Sequence, residues 1–353
     1  MSARTPAIVL GGTGYVSGEL LRLIAGHPRL KLLAVCSDSH PGSSVAAAFP
    51  HLASAYPELA FASVADIESL IGRTPETALF SAAPHGVAAA LIDRVLGAAE
   101  AAGAQTHCVD ISADFRYPGA AAYEAVYRHA HGAPARLAQF TCAVPEHLPT
   151  APTPHIAHPG CFATATLLAS VPLLALGLTD PKLFVTGITG STGSGRKPSD
   201  ATHHPLRHSD LYSYGALAHR HAPEIAGCAA RATGVEAEIN FVPHSGPFAR
   251  GIHITVQAGL AQPLDSAQAR EALADYYRDC PFVRVTAAPP RVKDVVTSNY
   301  VHLHAATNGS SIAVMAVLDN LNKGAAGGAM QWMNRLLGFD ESAGLTACAP
   351  GWT

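Results

Sequence analysis

Apolar runs and amphipathic stretches alternate over the first third of the chain. The amphipathic stretch that follows the first apolar run predicts a helix, and a second stretch, at 86–102, predicts another. Four short apolar runs predict strands, at 7–10, 30–36, 78–81 and 107–111. Because strands that alternate with helices form largely parallel sheets, the pattern predicts an α/β domain that opens with a βαβ unit.

The pattern changes after residue 160. A long apolar stretch at 165–178 predicts a buried helix, and 324–337, rich in Ala, Met and Leu, predicts another. Between them, β-rich or alternating segments predict strands at 182–190, 236–242, 251–259, 300–306 and 311–318. This half of the chain is therefore expected to be an α+β domain on a mixed or antiparallel sheet.

A glycine turn, GGTGYVSG, follows the first predicted strand at 11–18. Gly12 and Gly14 give the spacing that lets a backbone approach a pyrophosphate at the N-terminus of the next helix. Ser17 occupies the third glycine position of GxGxxG. The loop at 82–86 follows another strand, where parallel sheets bind ligands. With a strand before it and a helix after it, the turn predicts a Rossmann dinucleotide-binding domain.

We therefore expect an α/β fold with two domains. The first is an N-terminal NAD(P)-binding Rossmann domain at 1–160, completed by the C-terminal helical segment 321–353. The second is an α+β catalytic and dimerisation domain at 161–320, with a mixed or antiparallel sheet. The length of 353 residues suits two domains of ordinary size.

Composition and charge exclude several partners. A net charge of −3 gives no general attraction to nucleic acid or to an anionic membrane, so we expect neither. The apolar runs are all shorter than the roughly 20 residues that span a bilayer. The N-terminal sequence lacks a signal peptide's apolar region and cleavage site. The protein is therefore expected to be cytoplasmic.

Cys161 lies in the sequence HPGCFAT, directly before the long apolar stretch. At a helix N-terminus, unpaired backbone N–H groups and the positive end of the helix dipole lower the pKa of a thiol. Pro159 and Gly160 favour a tight turn just ahead of it. We predict that Cys161 is a nucleophile. The alternative is a buried structural cysteine.

The remaining cysteines and the 19 histidines do not indicate a metal site. The seven cysteines are odd in number and have no CxxC spacing, so neither a zinc knuckle nor a disulfide framework is expected. Three close histidine pairs lack an evident third ligand, and we predict no metal. The pairs are His203 with His204, His219 with His221, and His302 with His304.

A dinucleotide site and an activated thiol in one chain suggest acyl-thioenzyme chemistry. The thiolate takes up an acyl group, and the thioester exchanges hydride with a nicotinamide. A proton donor and acceptor is then needed near the sulfur, and the block GALAHRHAPEI at 215–225 offers His219 and His221. We favour His219, although each could be an ordinary surface histidine.

Seven blocks, in order and along nearly the whole chain, resemble N-acetyl-gamma-glutamyl-phosphate reductases. They are GGTGYVSGELLRLI, DISADFR, HPGCFATA, GSTGSGRKPSD, AHRHAPEI, FVPHSGPFARGI and AVLDNLNKGAAGGAMQWMN. The resemblance implies an arginine-pathway enzyme that reduces an acyl phosphate to an aldehyde with NADPH. It also implies the fold of aspartate-semialdehyde and glyceraldehyde-3-phosphate dehydrogenases, and a homodimer or homotetramer.

The resemblance also implies residue roles. Cys161 would be the nucleophile and His219 the acid and base. The cofactor would be held at its pyrophosphate by Gly11, Gly12, Thr13 and Gly14, at its adenosine ribose by Ser37, Asp38 and Ser39, and at its nicotinamide end by Asn320.

Substrate binding is expected at Arg116 and Arg250, with Ser191 and His221. A guanidinium pairs bidentately with phosphate and with carboxylate, which makes the two arginines natural candidates. An interior salt bridge is the alternative for each arginine.

Two departures from the family pattern concern the cofactor. Ser17 replaces a glycine that many relatives carry, and it is small enough to be tolerated. Asp38 is acidic where some relatives carry a basic residue that grips the 2′-phosphate, and it would repel that group if it faced it. The resemblance implies NADP, and NAD stays open.

Three other functions compete. The nearest is a lysine-biosynthesis reductase acting on aminoadipyl phosphate attached to a small acidic carrier protein, because the basic segment at 196–210, with Arg207, resembles loops of that branch. A nucleotide-binding sensor would have lost its nucleophile or its acid and base, whereas Cys161 and His219 are present. A cysteine hydrolase would have no use for the glycine turn.

Overall fold

The structure, a computed structural model, describes residues 4–352. The outermost ends of the predicted domains, residues 1–3 and 353, lie outside the described part. The chain forms two compact units. Unit 1 contains the described residues up to Ala143, together with 150–158 and 326–346. Unit 2 contains 144–149, 159–325 and the residues from 347 onward.

Unit 1 is built on a six-stranded parallel sheet. Its strands are β1 (Thr5–Leu10), β2 (Leu30–Val35), β3 (Glu76–Ser81), β4 (Gln105–Asp110), β5 (Phe140–Cys142) and β6 (His155–Ala157). Their order is β2-β1-β3-β4-β6-β5. The order reverses between β1 and β3, and ligands bind beyond the carboxyl ends of strands at such a point. The predicted parallel α/β unit is confirmed.

The helices of unit 1 are numbered along the whole chain. They are α1 (Tyr15–Gly26), α2 (Val45–Ala48), α3 (Val64–Ile71), α4 (Ala88–Ala101), α5 (Ala120–Tyr127) and α10 (Gly327–Leu336). Helix α10 packs against α1 and β4. Trp332 is fully buried there, and its indole N–H donates to the carbonyl of Ala143 at 2.8 Å.

Unit 2 is built on a seven-stranded mixed sheet, in the order β11-β12-β13-β10-β7-β9-β8. Its strands are β7 (Lys182–Thr189), β8 (Tyr212–Ser213), β9 (Glu238–Ser245), β10 (Ile252–Gly259), β11 (Val283–Val285), β12 (Val301–Thr307) and β13 (Ser311–Leu318). The pairs β7–β9 and β11–β12 are parallel and the others antiparallel, so the predicted mixed sheet is confirmed.

Four α-helices accompany this sheet: α6 (Cys161–Ala175), α7 (His204–Arg207), α8 (His221–Thr233) and α9 (Ser266–Tyr276). Helix α6 begins four residues before the predicted apolar stretch, so Cys161 is its first residue. A π-helical turn at Asn322–Ala326 precedes α10. Within residues 4–352, no helix is long and apolar enough to cross a membrane.

Candidate active site

The glycine turn of unit 1 joins β1 to α1. Gly11 has a φ of +78°, and a Cβ there would lie 2.4 Å from the backbone of Ala83. The turn thus lies directly against the loop at 82–86, at the carboxyl ends of β1 and β3. Gly12 donates its N–H to the carbonyl of Cys36 at 2.7 Å, which ties the turn to the end of β2. A Cβ on Gly12 would lie 2.7 Å from the ring of Phe61, so both positions require glycine.

The N-terminus of α1 has the features of an anion site. Gly14 is the N-cap, and a Cβ there would meet nothing within 4 Å, so the backbone is open to a close approach. The first turn carries no acidic residue. Thr13 lies half-buried between the two glycines. Ser17 is fully buried and donates its hydroxyl to the carbonyl of Gly11 at 2.6 Å, so it rigidifies the turn in place of a glycine.

The predicted ribose residues follow β2. Ser37 is buried and Ser39 is exposed, and their hydroxyl oxygens lie 3.4 Å apart. The carboxylate of Asp38 is exposed between them. Burial raises the pKa of the neighbouring Cys36 thiol to about 11, and the charge of Asp38 adds to that shift. A negative charge therefore lies beside the strand end at which adenosine riboses bind in this type of sheet.

Arg116 lies in unit 1, buried among carbonyl groups. Its Nε donates to the carbonyl of His158 at 3.0 Å, and its Nη2 donates to the carbonyl of Ile111 at 2.7 Å. The side chain thereby holds the chain that follows β4 to the residue preceding Pro159. These bonds occupy donors on which a substrate oxyanion would depend.

In unit 2, Cys161 is held at the start of α6. The N-cap residue is Gly160, and its backbone N–H donates to the carboxylate of Glu224 at 2.6 Å. Cys161 itself is half-buried. A Cβ on Gly324 would lie 2.8 Å from the Cβ of Cys161, so the π-helical turn packs this closely against Cys161 only because the residue is glycine.

His219 lies two residues before His221, the first residue of α8, and the two ring centroids are 4.7 Å apart. The backbone N–H of His221 donates to Nδ1 of His219 at 3.2 Å. Burial, with a smaller contribution from Arg220, lowers the pKa of His219 to about 4. The ring is therefore neutral near pH 7, and because Nδ1 accepts a hydrogen bond, the proton lies on Nε2.

Cys161, His219 and His221 line one cavity of about 610 Å³. Tyr212 and Tyr214 line the same cavity, and the Tyr214 ring centroid lies 5.6 Å from that of His219. Burial raises the pKa of Tyr214, and a charge on Cys161 raises it further. The structure thus brings together both predicted catalytic residues. The two tyrosines and Glu224 were not identified from the sequence.

Three other predicted residues lie elsewhere in unit 2. Arg250 pairs bidentately with the buried carboxylate of Asp319, from Nε and from Nη2, each at 3.0 Å. This is the interior salt bridge that the sequence left open. The Asn320 side chain accepts from the N–H of Gly251 at 2.7 Å and donates to the hydroxyl of Thr192 at 3.0 Å.

Ser191 begins a short 3-10 turn after β7, and its backbone N–H donates to the carbonyl of Phe248 at 2.9 Å. Neither Ser191, Arg250 nor Asn320 belongs to the lining of the cavity at Cys161. In the described part of the chain, no group of three or more His, Cys, Asp or Glu side chains is arranged to hold a metal ion.

Comparison with known proteins gives consistent matches. Residues 6–147 match the family described as Semialdehyde dehydrogenase, NAD binding domain, and residues 161–320 match Semialdehyde dehydrogenase, dimerisation domain. A protein named N-acetyl-gamma-glutamyl-phosphate reductase from Pseudomonas aeruginosa (strain UCBPP-PA14) is 38% identical, covering 97% of this chain and 98% of its own. Its namesake from Pseudomonas savastanoi pv. phaseolicola is 38% identical, covering 96% and 97%.

The similarity of this structure to solved structures supports the fold only. Aspartate semialdehyde dehydrogenase II from Vibrio cholerae, in a crystal structure with ASA, has a TM-score of 0.69 at 16% identity, covering 95% of this chain and 98% of that one. A probable aspartate-semialdehyde dehydrogenase from Pseudomonas aeruginosa has a TM-score of 0.63 at 17% identity.

Proposed function

Since the chain belongs to the N-acetyl-gamma-glutamyl-phosphate reductases, oxidoreductases of the semialdehyde dehydrogenase type, we propose that it reduces N-acetyl-gamma-glutamyl phosphate. The products are N-acetylglutamate semialdehyde and phosphate, in arginine biosynthesis. One observation supports the chemistry above all: Cys161, the first residue of α6, shares a cavity with the neutral imidazole of His219.

Cys161 is the proposed nucleophile. The N–H groups of the first turn of α6 and the helix dipole stabilise its thiolate. The sulfur attacks the acyl carbon of the acyl phosphate, the bond from that carbon to the phosphate oxygen breaks, and phosphate leaves with the electron pair. The acyl group is then held as a thioester.

His219 is the proposed proton donor to the substrate oxygen. Its Nε2 carries the proton because Nδ1 accepts from the backbone of His221. A neutral imidazole can donate a hydrogen bond to an oxyanion without adding a positive charge to the cavity. The oxygen of the tetrahedral adduct on Cys161 becomes anionic before the carbon–sulfur bond breaks, and this is where donation from Nε2 lowers the barrier.

The cofactor site proposed for unit 1 fits a nicotinamide dinucleotide. The exposed N-terminus of α1 and the open backbone at Gly14 suit a pyrophosphate. When bound, the dinucleotide supplies the hydride for the reduction. We propose NADP, as the family resemblance implies. The exposed Asp38 favours NAD, which makes the preference a matter for direct measurement.

We further propose that the protein acts as a homodimer or homotetramer. Residues 161–320 match a dimerisation domain. Alternate residues along β7 are exposed, and Phe184, on this open face of the sheet, is 52% exposed. A sheet face that carries exposed apolar side chains suits a second copy of the chain.

The test is phosphate-dependent reduction of NADP by the purified protein with N-acetylglutamate semialdehyde, run beside NAD. Cys161→Ala should abolish turnover while dinucleotide binding remains, and Cys348→Ala, at an exposed cysteine, is the matched control. His219→Asn should slow turnover about 10²- to 10⁴-fold without preventing alkylation of Cys161.

Two results would contradict the proposal. Loss of dinucleotide affinity in Cys161→Ala, equal to the loss of turnover, would make the cysteine structural. No activity from a folded, cofactor-binding protein would favour an aminoadipyl phosphate on a carrier protein as the substrate.

A further inference from the structure

Arg207 is a buried cation near the candidate active site. It is the last residue of α7 and is only 8% exposed. Its Nη1 donates to the backbone carbonyl of Asp210 at 2.9 Å. Within residues 4–352, its Nε and Nη2 are buried and have no hydrogen-bond partner. The Arg207 guanidinium therefore has a hydrogen-bond acceptor for Nη1 but none for Nε or Nη2 within the described residues.

The two unpartnered groups lie on the same edge of the guanidinium, the edge that pairs side-on with a carboxylate or a phosphate. Arg250 shows this geometry in the same unit, where Nε and Nη2 each lie 3.0 Å from an oxygen of Asp319. Arg207 presents the same edge without a carboxylate from the described chain. This edge of Arg207 therefore offers two donors that an oxyanion from outside the described chain could accept.

Burial makes this arrangement costly unless the oxyanion binds. A buried charged donor without a partner is strongly unfavourable, and such groups in folded proteins almost always find an acceptor. The cost is offset when a ligand supplies two acceptor oxygens.

Arg207 lies next to a residue that lines the cavity at Cys161. Its Cζ lies 5.9 Å from the centre of the Tyr212 ring. Tyr212 and Ala201, from either side of α7, line the same cavity as Cys161 and His219. Arg207 itself does not belong to that lining. A ligand that reacts at Cys161 would therefore have to extend past these lining residues to meet Nε and Nη2 of Arg207.

We propose that Arg207 binds the carboxylate of the substrate, the acid group remote from the acyl phosphate, through Nε and Nη2. This inference rests on the proposed function and names the residue that recognises the acid end of its substrate. The phosphate is a poorer match, because it is attached to the carbon that Cys161 attacks. Arg250, one of the two arginines that the sequence offered for substrate binding, already has a carboxylate partner in Asp319.

The first test compares Arg207→Gln with Arg278→Gln in the phosphate-dependent direction. Arg278 is a matched control, since its side chain is 70% exposed and pairs only across one turn with Asp275. Arg207→Gln should raise the KM for N-acetylglutamate semialdehyde about 10- to 100-fold, the loss expected for charge-assisted hydrogen bonds. The KM for phosphate should stay at its parent value.

A shortened substrate separates recognition from a general defect. With 4-acetamidobutanal, which is the same aldehyde without its carboxylate, the ratio of variant KM to parent KM should fall to about one. An equal loss with both aldehydes would make Arg207 a structural residue. A raised KM for phosphate alone would assign the oxyanion to phosphate and overturn the carboxylate assignment.

Binding of N-acetylglutamate, measured by calorimetry, does not depend on turnover. The parent and Arg278→Gln should bind it about 10- to 100-fold more tightly than Arg207→Gln. Arg207→Lys keeps the charge but lacks the two-donor edge, and it should lose a comparable amount of affinity for N-acetylglutamate. The experiment can therefore be done with either variant if the other folds poorly. If the parent binds N-acetylglutamate through Arg207 yet has no reductase activity, carboxylate binding by Arg207 stands and the proposed reaction fails. Binding of a short poly-glutamate peptide through Arg207, without binding of N-acetylglutamate, would overturn the small-molecule assignment.

Discussion

Glu224 accepts a hydrogen bond from the backbone N–H of Gly160 at 2.6 Å, one residue before Cys161. Glu224 belongs to α8, which begins two residues after His219. One helix therefore fixes both the turn that presents the thiol and the imidazole that faces the same cavity.

Glu224→Ala should impair both stability and catalysis. Leaving the buried N–H of Gly160 without an acceptor costs about 1–3 kcal/mol of unfolding free energy. The start of α6 should shift as well, and kcat should fall about tenfold or more, because small displacements of a nucleophile are costly. Glu224→Gln keeps an acceptor oxygen and is the control. Denaturant unfolding and steady-state kinetics measure the two effects, and an Ala variant as active as the Gln variant would contradict the positioning role.

Gly324→Ala should specifically lower the reactivity of the Cys161 thiol. The new Cβ would lie 2.8 Å from the Cβ of Cys161, so one of the two segments must move. We expect slower alkylation of Cys161 and a lower kcat. Gly227→Ala is the matched control, since a Cβ in the middle of α8 meets nothing within 4 Å. That variant should gain about 0.5–1 kcal/mol in stability and keep its alkylation rate. Equal alkylation rates in both variants would show that Gly324 does not limit the space around the thiol.

Arg250→Gln should destabilise the fold rather than act on substrate binding. Asp319 is fully buried, and removal of its guanidinium partner leaves a buried charge that is only partly compensated by backbone donors. Breaking such a pair typically costs about 3–5 kcal/mol. Thermal unfolding measures the loss. A stable variant with a raised substrate KM would instead restore Arg250 to the substrate site.

Asp38→Asn should shift the cofactor preference toward NADP. Removing one negative charge near a phosphate at the surface changes the affinity by roughly three- to tenfold in a high-dielectric setting. The ratio of kcat/KM for NADP to that for NAD is the measurement. Glu76→Gln, at the opposite end of the parallel sheet, is the control and should leave this ratio unchanged. An unchanged ratio in Asp38→Asn would place the ribose of the cofactor away from β2.

Unfolding stability should fall as the pH is lowered from about 6.5 to 4. Burial lowers the pKa values of His147, His155 and His219 each to about 4. Between the unfolded and folded pKa values, the unfolded chain binds more protons, and stability therefore rises with pH across this window. Asp110 opposes the trend below about pH 6, because burial raises its pKa to about 6 and the folded state then binds the extra proton.

The slope of this pH dependence can be assigned to a residue. His155→Asn keeps an acceptor for the backbone N–H of Cys108, which now donates to Nδ1 at 3.2 Å. The variant should lose about one proton from the linkage between pH 4 and 6.5. Melting temperatures at a series of pH values measure it, and an undiminished slope would mean that His155 is not among the groups responsible.

Local sequence patterns predicted the turns, strands and helices that are determined by residues close together in the chain. The glycine turn, the strand before it and the helix after it all follow from contiguous residues. Strands β5 and β8 have three and two residues and are too short for a hydrophobic period to be evident. Cys161 was placed at a helix N-terminus, although the helix begins at that residue rather than after it.

Contacts between residues far apart in the chain could not be predicted from the sequence. Glu224 meets Gly160 across 64 positions, and Arg250 meets Asp319 across 69. Nothing in the spacing distinguishes an arginine that already has a carboxylate partner from one that lacks it. Arg207 and Arg250 differ in this respect only because the fold places Asp319 beside one of them.

Helix α10 has a consequence for synthesis on the ribosome. It covers α1 and β4 of unit 1, yet residues 144–149 and 159–325 of unit 2 are translated before it. The first six strands therefore emerge long before the segment that buries Trp332 and completes their core. A nascent chain arrested before residue 327 would leave the α10-covered surfaces of α1 and β4 exposed, so unit 1 is completed only late in translation.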